Sequence, residues 1–436
     1  MPEIRPFRAL RYHPDVVADP GRVVAPPYDV IDAERHARLL ARDPRNAVRL
    51  DLPTVEAGDG PDDRYRRAAR TLAAWRSDGT LRKDPRASVY VYEQAYRVPG
   101  TDEQRIQRGF FAVVRLEPFG TGILPHERTM TGPKEDRYKL LRATGLNTSP
   151  IVALYEDRSG ESRAVLDAAT ASAPTIDVVD DDGVEHRLWV ITDTGDADGA
   201  GARLRARACD GALVIADGHH RYETALRYRD ERRMTRSCEE DPPFDFALML
   251  LLEATGTPLT VLPTHRLVRG LDDDGASLLA RAGELFEVSP VASGSELASR
   301  FSAPRAGGEG RFGLWTRHGG ALLVARRAAF APLLASSGTA VRSLDVSLLG
   351  AALDRLAGIG ADAVTAGERV TYTKSAAEAV AAVDEARDGV DAAFLLESTP
   401  VASIVEVARA GDVMPQKSTY FYPKALTGLV LNPHEW

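Results

Sequence analysis

The sequence predicts an α+β fold built on a mixed sheet core, and three observations predict it. Short apolar strand patterns alternate with helical patterns through the first 270 residues, a strand runs directly into a helix near residue 217, and helical periodicity gathers in the C-terminal part. A chain of 436 residues exceeds one ordinary core. The expected division is an N-terminal α/β segment over 1–100, a core over 101–270, and a partly helical C-terminal α/β region over 271–436.

In chain order, the first marked feature is Val24 to Ile31 (VAPPYDVI), a Pro-Pro turn that presents Tyr28 and Asp29. Residues 53–63 (PTVEAGDGPDD) form a loop before an amphipathic helix from Tyr65 to Arg76. Apolar strands follow at 88–92, 109–116, 150–155, 187–191 and 246–252, each too short for a helix. The Asp- and Gly-rich stretch 193–202 and the run APRAGGEG within 303–310 read as surface loops. Helical periodicity over 346–357, 375–387 and 400–410 makes the C-terminal region partly helical. No solenoid-type repeat is present.

Hydrophobic residues make up 44% and charged residues 27%, the balance of a chain that folds throughout. The net charge of -8 opposes a general nucleic-acid role, because phosphate backbones are bound by clustered Lys and Arg. The charged N-terminus MPEIRPFRALRYHPD is not a signal peptide, and no stretch approaches the roughly 20 apolar residues of a membrane helix. A cytoplasmic location with no membrane partner is expected; composition fixes no oligomeric state. Cys209 and Cys238 are the only cysteines, enough for at most one bridge.

Chemistry concentrates at Asp217-Gly218-His219-His220-Arg221. The segment 212–216 (ALVIA) is a strand pattern and Tyr222 to Arg233 is helical, so these five residues form the turn between them. Such a turn points free backbone amides at a ligand, Gly218 lets a phosphate approach closely, and Arg221 supplies a planar charged fork. His219 and His220 titrate near neutrality and suit proton transfer or charge stabilisation. Each residue also has an ordinary structural role, as helix cap, buried hydrogen-bonding His or surface ion pair.

Two further histidines sit in similar phrases, His126-Glu127-Arg128 and Thr264-His265-Arg266, and both could edge a cleft. Glu127 is the carboxylate best suited to accept a proton from an attacking hydroxyl. Zinc is disfavoured, since Met130 stands where a helical motif starting at His126 needs its second His, and adjacent His219 and His220 diverge. At the C-terminus, Lys417, Ser418 and Thr419, with Lys424 beyond an aromatic run, form a second candidate anion clamp or a buried aromatic tail.

Across these phrases the chain resembles domain-of-unknown-function family number 1015. The matching segments are RPFRALRY (5–12), APPYDVI (25–31), HERT (126–129), NTSPI (147–151), ADGHHRYETAL (216–226), LPTHR (262–266) and MPQKSTYFYPK (414–424). More distantly, the turn resembles the phosphate-binding strand-turn-helix of the ParB and sulfiredoxin superfamily, including free-serine kinases, with Gly218 and Arg221 matching its Gly and Arg. Sulfiredoxin requires a Cys where this chain has His219, and ParB-type DNA segregation lacks a helix-turn-helix here. The serine-kinase resemblance implies a nucleotide (ATP or ADP) with Mg²⁺, and an upstream Glu as base, matched by order to Glu127.

The function expected is therefore a nucleotide-dependent phosphotransferase acting on a small hydroxyl metabolite, free serine among the candidates. Its catalytic residues are Glu127, His219 and His220; Asp217, Gly218, Arg221, Lys417, Ser418 and Thr419 bind phosphate; Tyr28, Asp29, His126 and His265 contact substrate. The alternatives are a phosphohydrolase acting on a small ester such as phosphoserine, and a nucleotide or metabolite sensor without turnover.

Overall fold

All eight residues of the strand Phe246–Glu253 are buried, as are all five of Ile151–Tyr155. Continuous apolar runs of this kind arise when both faces of a sheet are covered, and the architecture supplies the cover. The computed structural model describes residues 1–127, 132–235, 240–303, 305, 307–308 and 310–435. Cys238, the Arg128 and Thr129 part of the HERT phrase, and Met130 lie outside them, as do residues 304, 306 and 309 of the expected third loop.

The first sheet has nine strands and is mixed. Its order is Ile123–Leu124, Leu213–Asp217, Ile151–Tyr155, Phe246–Glu253, Gln104–Arg115, Ser88–Arg97, Glu185–Thr192 and Ile176–Val179, with Ile4–Arg5 also paired to Gln104–Arg115. Two pairings are parallel, Leu213–Asp217 with Ile123–Leu124 and Phe246–Glu253 with Ile151–Tyr155. On one face Val91, Phe110, Met249 and Ile215 pack against Tyr222 and Ala225 of the helix His219–Thr235 and Leu204 of Ala200–Cys209. On the other, Tyr92, Phe111 and Leu250 belong to a core that includes Val261, Phe421 and Leu426.

A second, antiparallel sheet of six strands runs in the order Phe286–Val291, Gly319–Ala325, Arg311–Thr316, Val390–Leu396, His265–Arg269, Val370–Thr373. Helices Gly294–Arg300 and Ala376–Asp384 cover one face, and Asp345–Ala357 packs in the core on the other. The fold is thus α+β with a partly helical C-terminal part. The expected loop 193–202 ends earlier, because the helix Ala200–Cys209 starts inside it with Leu204 and Ala208 buried.

The C-terminal strand Tyr420–Tyr422 pairs with Thr260–Leu262, the segment that links the two sheets, in the register Leu262↔Tyr420. Further on, Leu431 and Leu10 exchange both backbone hydrogen bonds. The tail is therefore stitched across the molecule between the sheets and the N-terminal segment. No described helix is long and apolar enough to cross a membrane.

Candidate active site

Because Ile123–Leu124 and Leu213–Asp217 run parallel, their carboxyl ends emerge at the same end of the sheet, the usual place for a ligand in such sheets. One chain end continues into His126 and Glu127. The other makes the Gly218 turn and enters the helix His219–Thr235. Gly218 has φ +89°, and a Cβ there would lie 3.0 Å from Nε of Arg221, so the tight turn requires glycine. The first helical turn leaves the amides of His219, His220 and Arg221 without an intrahelical acceptor.

Arg221 folds back over this turn. Its Nη2 donates to Asp217 Oδ2 at 2.6 Å, and its Nη1 donates to the carbonyl of Pro150. The other oxygen of Asp217 accepts from Lys424 Nζ at 2.9 Å. Burial alone would push the Asp217 carboxyl up, but Lys424 and Arg221 outweigh it and hold the group well below the usual carboxylate range. Asp217 is consequently a fixed anion at neutral pH, poorly suited to moving a proton.

His126 lies fully buried behind the cleft. Its Nδ1 donates to the carbonyl of Ile215 at 2.6 Å, which leaves Nε2 to accept from the Thr419 hydroxyl at 2.9 Å. Burial keeps it neutral, pushing its pKa down to about 4. The His219 ring stands edge-on to it, centroids 4.7 Å apart, and His219 Nε2 accepts from the His126 amide at 3.3 Å. Burial, then the neighbouring His126, holds His219 well below the ordinary histidine value. His220 is shifted down by burial and then by Lys134 and Lys417. His219→Ala is expected to lower stability by about 1–3 kcal/mol, since it strips the His126 amide of its acceptor. His220→Ala is expected to leave the melting temperature near wild type and weaken anion binding, and thermal melts beside binding titrations would expose equal behaviour of the two variants.

Glu127 sits on a backbone cradle formed by the C-terminal segment. The Lys417 amide donates to its Oε1 at 2.8 Å and the Ser418 amide to its Oε2 at 3.3 Å, with Lys417 in the left-handed region at φ +55°. Burial nevertheless raises the carboxyl to about 7, with the amides and the Lys417 charge opposing and Asp217 adding to the rise. The cradle is braced from the second sheet. Thr264 Oγ1 donates to the Lys417 carbonyl at 2.7 Å, and the buried Arg266 donates to both Thr264 oxygens.

Most of these groups line a cleft of about 310 Å³. Of the sequence-predicted residues, Tyr28, Asp29, Glu127, Asp217, Gly218, His219, His220, Arg221, Lys417 and Thr419 line it. Tyr28 arrives on the short turn Tyr28–Val30, anchored by its amide to the buried Asp51 at 3.1 Å, with Arg137 4.0 Å over its ring. Three of the expected residues do not face the cleft. The Ser418 hydroxyl turns away to the Pro415 carbonyl at 2.6 Å, His126 lies behind, and His265 is buried in the second sheet, accepting from the Leu396 amide at 3.1 Å.

Thr264, Tyr372 and Lys374 line the cleft without having been singled out from the sequence. Thr264 stood one residue from His265, and strand alternation is the signal that could have separated them. Lys374 follows the strand Val370–Thr373, whose position beside the cleft depends on how the second sheet docks. Lys374 and Lys424 lie 4.2 and 4.3 Å from the centre of the Tyr420 ring. Lys374 is shifted down by burial, then by Lys424 and Lys417, so three cations crowd a space where, among the described residues, only Lys424 has a carboxylate in ion-pair contact. An anion bound there would relieve this repulsion.

No group of three or more His, Cys, Asp or Glu among the described residues is placed to hold a metal ion. Cys209 is a free thiol. The sequence profile of the family described as "Protein of unknown function (DUF1015)" matches residues 4–347. The chain belongs to the DUF1015 family. No curated protein matches this DUF1015 chain significantly. Among solved structures it is similar to a free serine kinase in complex with AMP, at 14% identity and a TM-score of 0.36 over 75% of this chain and 90% of that one. SbnI with a C-terminal truncation from Staphylococcus aureus matches at 10% identity and a TM-score of 0.36, covering 73% and 86%. A conserved hypothetical protein from Pyrococcus furiosus matches at 14% identity and a TM-score of 0.34, covering 69% and 87%.

Proposed function

We propose that this DUF1015 protein is a nucleotide-dependent phosphotransferase acting on a small hydroxyl compound, with free serine as the first acceptor to test. One observation carries the proposal. A carboxyl group that titrates near neutrality, Glu127, lines the same cleft as an anion seat made of the Gly218 turn and Lys374, Lys417 and Lys424. In this reading the acceptor oxygen attacks the terminal phosphorus of the donor, the bond from that phosphorus to the leaving nucleotide oxygen breaks, and the acceptor proton passes to Glu127. The amides at the helix start and the lysines stabilise the charge on the transferring group, which is the main task of a protein in this chemistry.

Magnesium commonly binds through one or two carboxylates plus substrate phosphates, and Asp29, exposed on the cleft wall, is the residue that would hold it. The metal would supply charge neutralisation between phosphate groups. The test is incubation of the purified protein with Mg²⁺ and serine, together with ATP, ADP or pyrophosphate, then with phosphoserine alone. Phosphoserine formed only with a donor is the expected result. Inorganic phosphate released from phosphoserine without a donor would replace the kinase by a phosphohydrolase, and binding without any turnover would replace it by a sensor.

A further inference from the structure

The cleft does not end at the lysines. Beyond them lies a second cavity of about 300 Å³, and the two share Val30, Lys374, Tyr420 and Lys424 as common walls. Its character is different. Pro26, Leu262, Tyr422, Pro423 and Leu426 give it flat apolar sides, whereas the first cavity is walled by charged groups and the helix start. Its polar end is formed by Arg35 and Asp182, paired at 3.0 Å through Asp182 Oδ2, with Asp180 beside them. The oxygens of Asp180 accept from the Asp182 and Val184 amides and from His186 Nε2, which fixes that carboxylate as part of the wall. The buried Nε of Arg35 has no hydrogen-bond partner among the described residues.

We propose that this second cavity receives the base and ribose of a nucleoside polyphosphate whose terminal phosphate lies on the Gly218 turn. This placement rests on the phosphotransferase reading and gives the donor a direction. A planar heterocycle fits between the proline walls and the Tyr422 ring, where stacking tolerates any base. Asp182 and Arg35 offer an acceptor and a donor to its polar edge or to the ribose hydroxyls. The inner phosphates then pass between Lys374 and Lys424, the two cations that belong to both cavities. The terminal phosphate arrives beside Glu127, leaving the rest of the first cavity to the acceptor.

The test compares ADP with inorganic triphosphate as probes, by calorimetric titration of the full chain. In the wild type, ADP should bind more tightly than its phosphate count alone would give, so that adenosine competes weakly while triphosphate binds without it. Tyr422→Leu should weaken ADP by at least about tenfold and leave triphosphate unchanged, whereas Tyr422→Phe should retain ADP affinity. Asp182→Asn, which alters only the polar end, should weaken ADP more than triphosphate. Wild-type ADP affinity in both Tyr422→Leu and Asp182→Asn would overturn the placement while leaving the anion seat intact. Failure of the wild type to bind either probe would overturn the placement and the phosphotransferase reading together.

Discussion

Glu127→Gln is expected to lower the rate of phosphoryl transfer by roughly 10² to 10⁴ while ADP affinity stays near wild type. The glutamine keeps the length and one acceptor oxygen of the side chain but cannot take the acceptor proton. One of the two amides of Lys417 and Ser418 would then face the carboxamide NH₂, at a cost of about 1 kcal/mol that a thermal melt would register. The wild-type pH profile supplies an independent check. Burial makes the charged form of Glu127 costly and raises the group to about 7, so below that pH it is protonated and cannot act as base. The rate should therefore climb with pH through about 7 and level off above it, and the Gln variant should lack this limb. Turnover by Glu127→Gln at the wild-type rate would exclude it. The alternatives are unequal: Asp217 is held by Lys424 and Arg221, and Asp136 is engaged by Arg64, Tyr65 and Arg137, so Asp29 would be next to test.

Much of this site is legible in the sequence because its central part is local. ALVIA followed by DGHHR encodes strand, left-handed glycine and helix start within ten residues, but the strand Leu213–Asp217 and helix His219–Thr235 leave only Gly218 between them, so the turn expected over 217–221 is shorter and His219 to Arg221 form the first helical turn. The main strands are equally legible, since their apolar runs exceed what a loop tolerates; Ser88–Arg97 and Gln104–Arg115 simply extend further into polar residues that a long hairpin still pairs. Partnership across the chain is different. That Lys424 neutralises Asp217, 207 positions away, or that Thr264 braces the Lys417 carbonyl, depends on the tail strand Tyr420–Tyr422 adding to Thr260–Leu262. A period-2 pattern of three residues carries no register. His265 illustrates the opposite error, because a histidine in a motif draws attention even where alternation along its strand points it into the core.

Arg221→Ala is expected to cost about 2 kcal/mol of stability and to weaken binding of both ADP and inorganic triphosphate by at least about tenfold. The stability loss follows from its bonds. Without the guanidinium, Asp217 keeps, among the described residues, only Lys424 as a charged hydrogen-bond partner, and the Pro150 carbonyl loses the Arg221 donor beside the sheet. The binding loss follows from position, since Arg221 holds the Gly218 turn closed and lines the cleft itself, with Gly218 φ at +89° and no Cβ between them. Arg221→Lys separates the two effects. A lysine restores the charge and one hydrogen bond to Asp217, so much of the stability should return, but it cannot span Asp217 and Pro150 at once. The turn should therefore loosen and anion affinity stay low. If the lysine variant recovers both melting temperature and triphosphate affinity, charge alone suffices and the fork has no part in shaping the anion seat. If both variants bind triphosphate as tightly as wild type while melting lower, Arg221 serves the fold, and the seat consists of the helix amides with Lys374, Lys417 and Lys424.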